Sequence, residues 1–225
     1  MSEAWNPEAY EEDLAQGLSL SGENSTYFAE ERVRQVKAFS EYIDVQPRSV
    51  LEFGCGTGNN LEFLARAFPT ARLVGLERSE AMLGAARARF AGRKVEFVDD
   101  RAFAEEGTID LIFINGVFHH IEPADRPAAF TAVRRYLAKD GLLALFDNNP
   151  LNPGAMWVMK RIPFDRDAKP VLAWTLGKMA RQAGLSATTV RTYFYFPGPL
   201  RFLRGLEPML QRVPLGAQYA LFARG

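Results

Sequence analysis

The sequence predicts an α/β fold: a doubly wound, mostly parallel sheet of seven strands, preceded by N-terminal helices. Three observations predict it. Short apolar runs alternate with helix-period segments from residue 49 onward. One run, IDLIFING (109–116), is almost unbroken, as strands buried on both faces of a parallel sheet are. Another, SVLEFGCGTGNN (49–60), ends in a glycine cluster at the strand-to-helix turn where such sheets hold ligands.

Each element follows from local pattern. Between Tyr27 and Ile43, the residues Phe28, Val33, Val36, Phe39 and Ile43 recur at helical spacing, and Pro47 stops the helix. SVLEF is a buried strand, and NLEFLARAF the helix after the glycine turn. ARLVGLE is a second strand, followed by the helix SEAMLGAARARFA with Ser79 as its cap. KVEFVD and IDLIFING are the third and fourth strands. A helix over 126–137 leads through KDG to a fifth strand, GLLALFDN. A helix over 174–183 and the strands TTVRTYFYF and QYALFA complete the order.

Composition narrows the function. In 225 residues without a repeat or low-complexity linker, one domain is expected, residues 1–46 forming a helical cap on residues 47–225. The 48% hydrophobic content is ample for a core. Equal numbers of acidic and basic side chains, 27 each, exert no general pull on nucleic acid or anionic membrane. The single cysteine, Cys55, has no partner for an internal disulfide or a metal cluster. The polar, acidic start is unlike a signal peptide, and no apolar run is long enough to span a bilayer. A cytoplasmic protein acting on a small molecule, without stable membrane association, is expected; the oligomeric state is left open.

A glycine in a turn costs roughly 0.5–1 kcal/mol relative to alanine, so three in five positions call for a reason. Gly54, Gly56 and Gly58 are spaced G-x-G-x-G, and Asn59 stands where a dinucleotide fold has its third glycine. VLEFGCGTGNN resembles the first motif of the class I S-adenosylmethionine-dependent methyltransferases. The resemblance continues through LVGLERSEAML, VEFVDDRAF, IDLIFINGVFHHI and LAKDGLLALFD, covering about residues 49–147.

That resemblance implies S-adenosyl-L-methionine as cofactor and S-adenosyl-L-homocysteine as product. Glu52 would contact the methionine ammonium, and the loop of Gly54, Cys55, Gly56, Gly58 and Asn59 would pass beside the methionine portion. Cys55 itself reads as a small packing residue in that loop. Glu77 would accept both ribose hydroxyls, with Arg78 and Met82 flanking the adenine. Asp100, or Asp99 if the register shifts by one, would take the adenine amino group next to Arg101. Asn115 would pass the sulfonium and amine through its backbone.

The acceptor is read from three stretches. His119 and His120 follow the fourth strand, close to where the methyl would sit, and His119 is preferred as base over His120; the alternative is local packing at a helix start. FDNNPLNPG offers Asn148, Asn149 and Asn152 to a polar acceptor, or simply builds turns. The N-P-P-Y-like runs of methyltransferases acting on DNA amino groups or glutamine follow strand four, whereas this run follows strand five. Asp147 with Asn148 is only a fragment of a magnesium set, so no metal is expected. The aromatic C-terminal third is read as a substrate lid lined by Tyr27, Arg32, Tyr193 and Tyr195, or as packing between the last strands.

These terminal patterns look like bacterial methyltransferases of glycan and secondary-metabolite pathways. The expectation is O-methylation of a sugar, glycolipid or natural-product hydroxyl. The alternatives are N-methylation of a small amine or heterocycle, a non-catalytic S-adenosylmethionine-binding protein, and, more remotely, an NAD-dependent dehydrogenase.

Overall fold

The structure, a computed structural model, describes residues 6–225. Its strands are β1 (Ser49–Phe53), β2 (Arg72–Glu77), β3 (Val95–Asp99), β4 (Ile109–Asn115), β5 (Leu137–Asn148), β6 (Ser186–Tyr193) and β7 (Gln218–Arg224). They form one seven-stranded sheet in the order β3-β2-β1-β4-β5-β7-β6. All neighbours are parallel except β7, which runs antiparallel to both β5 and β6. The helices are α1 (Pro7–Ser19), α2 (Ser25–Tyr42), α3 (Leu61–Ala67), α4 (Glu80–Arg89), α5 (Arg126–Tyr136), α6 (Pro153–Met159), α7 (Ala173–Gln182) and α8 (Glu207–Leu210). Residues 1–5 of the expected N-terminal cap lie outside the described residues.

Alternation along each strand splits the core in two. Leu51, Val74, Ile112, Ile114, Leu143 and Leu145 face one side, where Phe130 and Val133 of α5 and Leu176 and Ala180 of α7 cover them. Val50, Leu111, Phe113, Leu142, Ala144 and Phe146 face the other, against Val33 and Val36 of α2 and Leu61 and Leu64 of α3. This double cover explains why β4 reads as an unbroken apolar run.

Helix starts are fixed by side-chain oxygens: Asn6 caps α1, Asn24 caps α2, and Ser79 caps α4 as its sequence position predicts. Two predicted boundaries move. β5 starts at Leu137, because Asp140 takes φ +66° and lets the KDG segment stay in the strand. β6 stops at Tyr193, where Phe194 at φ +63° turns the chain off the ladder. The HHI stretch does not open a helix; it lies in a turn seven residues before α5 begins at Arg126.

The chain proceeds outward from β1 to β3, then returns to β4 on the other side of β1. That switch point opens a crevice at the carboxyl ends of β1 and β4. α1 contacts α2, α4 and α6 and closes over it. From the opposite side, the segment between β6 and β7 meets the α1–α2 loop, with Gly198 N–H donating to Ser21 O at 2.7 Å and Arg204 pairing with Glu23 at 2.8 Å.

Candidate active site

The crevice is a cavity of about 1240 Å³. Ligand pockets usually hold roughly 300–1,000 Å³, so there is room for two molecules end to end. One lobe lies over the glycine turn and β2, the other over the turn after β4.

The first lobe is organised by Glu77. Its Oε2 accepts from Gly56 N–H at 3.0 Å, and its Oε1 from Arg78 N–H at 2.8 Å and Ser79 N–H at 2.9 Å. Three backbone donors therefore fix a carboxylate on the cavity wall, with lone pairs left for a ligand. Gly54 and Cys55 N–H both donate to Leu76 O at 2.8 Å, tying the turn to β2. Gly54 has φ +73°, and a Cβ there would lie 2.5 Å from Val117 Cγ2. Gly56 has φ +54° and meets only Met82 Cε at 4.0 Å, so bare backbone is presented to the cavity.

Arg78, Met82, Asp100, Arg101, Asn59 and Asn115 also line the cavity, with Arg78 paired to Asp100 at 2.8 Å. Asn115 Oδ1 is buried with no hydrogen-bond partner among the described residues, which leaves an acceptor available to a ligand cation. A diol acceptor, bare glycine backbone and a spare carbonyl oxygen are what S-adenosylmethionine presents groups to. The residues present fit that cofactor.

Four predicted residues of this lobe stand elsewhere. Cys55 is buried with its Sγ packed towards Gly75, where a Cβ would approach it to 2.9 Å, and burial pushes its thiol pKa up. Gly58 packs under Phe90, whose ring would stand 2.8 Å from a Cβ. Asp99 folds onto Arg101, accepting its backbone N–H at 2.9 Å, so Asp100 is the acid on the cavity wall. Glu52 is buried behind Asn60, which donates to its Oε1 at 2.7 Å, while Oε2 has no partner. Burial pushes the Glu52 pKa up to about 8, against the pull of Asn60 and the nearby Arg32 guanidinium. Any influence of Glu52 on a ligand passes through Asn60 and Arg32, which do line the cavity. Asn60 was not singled out in the sequence, although it closes the same motif.

In the second lobe His119 is held between two acids. Its Nδ1 hydrogen-bonds Asp147 Oδ1, and its Nε2 lies 3.4 Å from Asp165 Oδ1. Burial alone would lower its pKa, but Asp147 and Asp165 outweigh it and raise the pKa to about 10. His119 is thus an imidazolium near neutral pH, with no lone pair to take a proton. This corrects the preference for His119 as base. His120 is half-exposed on the cavity wall, its Nε2 3.2 Å from the same Asp165 oxygen. His119, His120 and Asp165 each offer one ligand atom, all within 4.8 Å, which is compact enough for a metal ion. Both His119 nitrogens already face carboxylates, so the group is built as a proton network. Asp165 sits in a 3-10 turn, Pro163–Asp165, inside a stretch without periodicity, and only its acidic side chain marked it.

The remaining wall is aromatic. Tyr27, Phe28 and Phe194 pack edge to face, with Phe28 and Phe194 centroids 5.0 Å apart, and Phe196, Trp157 and Phe164 continue the surface. Arg204 lies over the Tyr27 ring at 4.4 Å and is neutralised by Glu23. Arg32 is buried and donates to Gln218 at 3.1 Å and Asn60 at 3.3 Å.

Tyr193 is not on this wall. It is buried against Phe146, because it ends β6 on the face that packs towards α2. Tyr195 does line the cavity, its hydroxyl donating to carbonyls of the C-terminal segment. The three asparagines separate. Asn149 is buried away from the cavity and donates to Pro214 O and Gly216 O at 3.1 and 2.8 Å. Asn152 reaches the cavity but caps α6 and donates to Leu215 O at 2.7 Å. Asn148 lines the cavity and accepts from Gln218 Nε2 at 3.1 Å.

Fold and site together define an α/β protein whose crevice joins a glycine-turn lobe to an aromatic lobe. Comparison with known proteins makes the class specific. Residues 50–141 match the family model described as a methyltransferase domain. A trans-aconitate 2-methyltransferase of Acidovorax ebreus (strain TPSY) is 35% identical over 52% of this chain and 45% of its own length. Another, from Azoarcus sp. (strain BH72), is 28% identical over 82% and 79%. The chain spans about half the length of several of the curated relatives it matches. Among solved structures, a methyltransferase from Archaeoglobus fulgidus superposes with a TM-score of 0.61 at 18% identity, covering 86% of this chain and 94% of that one. A plantazolicin methyltransferase bound to a pentazolic substrate analogue and S-adenosylhomocysteine gives 0.62 at 16% identity, covering 97% of both. Residues 50–141 thus read as a methyltransferase domain on a Rossmann-like methyltransferase fold, with S-adenosylmethionine as the matching cofactor.

Proposed function

We propose that the chain transfers the methyl group of S-adenosylmethionine to an oxygen of a largely apolar, ring-bearing small molecule. The observation that carries the acceptor class is the second lobe: an aromatic wall of Tyr27, Phe28, Phe194, Phe196, Trp157 and Phe164 beside the polar cluster of His120 with Asp165. The curated relatives are named for trans-aconitate, a tricarboxylate. A trianion needs several cations; of the two arginines towards this lobe Arg204 is neutralised by Glu23, which leaves the charge of Arg32, held by the neutral amides of Asn60 and Gln218, against three carboxylates. An acceptor with one reactive oxygen on an apolar frame fits better.

The bound cofactor supplies an electrophilic methyl for in-line displacement. The protein's part is to align the two molecules and keep water out. Glu77 and the Gly56 backbone fix the cofactor end, and the aromatic wall fixes the acceptor ring. His120, oriented by its Nε2–H towards Asp165, takes the hydroxyl proton on its other ring nitrogen. His119, fixed by Asp147 and Asp165, keeps Asp165 oriented between the two histidines.

The test is an acceptor panel with S-adenosylmethionine, comparing phenols and hydroxylated ring compounds with di- and tricarboxylates, with product position read by mass spectrometry. Methylation at oxygen of ring compounds is expected. Turnover confined to polycarboxylates, or methylation at nitrogen, would overturn the acceptor reading.

A further inference from the structure

The segment from Pro197 to Leu215 is unusual in what it exposes. Phe202 is 76% exposed and Met209 81%, and Leu200, Leu206, Val213 and Leu215 are exposed beside them. A 3-10 segment (Gly198–Leu206) running into α8 carries most of these side chains. Large apolar side chains clustered on one segment mark an interaction site rather than scattered surface residues.

Two further features say what covers it. The segment holds three arginines, Arg201, Arg204 and Arg212, and one acid, Glu207, in a chain whose charges balance overall. Glu207 is turned inward, accepting from Tyr195 and Phe196 N–H at 3.0 and 3.1 Å. The exposed face is therefore apolar with exposed cations at Arg201 and Arg212 and no opposing acid of its own. Arginines interleaved with Leu, Phe and Met suit an interface where the rings enter the acyl boundary and the guanidinium groups reach anionic headgroups. The segment also borders the cavity, since Pro197 and Arg204 line it beside Leu20, which is itself 48% exposed.

We propose that residues 197–215 seat the protein on an anionic lipid bilayer, so that the acceptor lobe opens at the membrane surface and draws an amphiphilic acceptor from it. The attachment is peripheral, because among the described residues no helix is long and apolar enough to cross a membrane. The choice of acceptor source rests on the methyl-transfer reading; the docking surface does not. The expectation from composition, that no membrane is engaged, followed from a net charge of zero that averages out this local excess.

The experiment is co-sedimentation of the full chain with vesicles of phosphatidylcholine, with and without phosphatidylglycerol, at low and high salt. Binding is expected to the phosphatidylglycerol vesicles, weakening as salt rises. The double variant Phe202→Glu and Met209→Glu should lose roughly tenfold or more of that partitioning, while its affinity for S-adenosylhomocysteine stays at the wild-type value. No vesicle binding by the wild type, or equal binding by the variant, would overturn the proposal. So would a dimer that the variant converts to monomers in sedimentation velocity without any effect on vesicles, since the face would then join two copies. Vesicle binding is read without any acceptor, so failure of methyl transfer in the panel above leaves its outcome distinct.

Discussion

Replacing Asp147 with asparagine tests the electrostatics of the second lobe at its most buried point. Asp147 is fully buried on β5 and bonds His119 Nδ1, while Asp165 from the 3-10 turn faces the other nitrogen and also His120 Nε2. The nearby buried cation Arg126 is occupied by carbonyls of Phe118 and Ile121. His119 rises from 6.5 to about 10 in the folded chain. A raised histidine pKa adds stability that is complete below about pH 6.5 and is lost as pH climbs through about 10. Breaking a buried ion pair costs on the order of 3–5 kcal/mol. Urea unfolding of wild type and variant across this range should show that gap at pH 6, narrowing towards pH 10 as the wild type declines. Glu52, whose raised pKa makes folding less favourable as pH climbs to about 8, acts on both proteins and cancels in the difference. Curves that run parallel, with a gap below about 0.5 kcal/mol, would refute the imidazolium assignment.

Glu77→Ala should weaken S-adenosylhomocysteine binding roughly 100-fold or more in calorimetry, since two hydrogen bonds to a charged acceptor contribute about 1.5–3 kcal/mol each; affinity within threefold of wild type removes the ribose assignment. His120→Ala should lower kcat roughly 100-fold or more at neutral pH with little change in cofactor affinity, and a wild-type pH–rate profile would exclude it as base. If the His119, His120 and Asp165 group works as a proton network, dialysis against EDTA leaves turnover unchanged, whereas activity restored only by a divalent metal contradicts it.

The sequence made the sheet readable because each parallel strand is buried on both faces, and burial leaves an apolar run bounded by turn residues. It made the cofactor lobe readable for a related reason: Gly54 and Gly56 share one short motif at the end of β1 and Glu77 ends the next strand, Gly56 N–H bonding its carboxylate and Gly54 N–H the preceding Leu76 O. The acceptor lobe is assembled differently. His120 and Asp165 are brought together by a 3-10 turn with no period to announce it, so the pairing that reverses the order of the two histidines had no local signal. Tyr193 and Asn149 misled for a simpler cause. A residue's side of a strand near its end depends on where the strand stops, and Phe194 with its positive φ sets that point. Asn149 is a polar side chain in a turn that proves to clamp the loop of Pro214 and Gly216.

The central claim is that the Glu77-anchored glycine turn holds S-adenosylmethionine, and a calorimetric titration with S-adenosylhomocysteine, run beside NAD, tests it most directly. Micromolar binding of S-adenosylhomocysteine is expected, with no heat from NAD. Binding of NAD alone, or of neither, would contradict it.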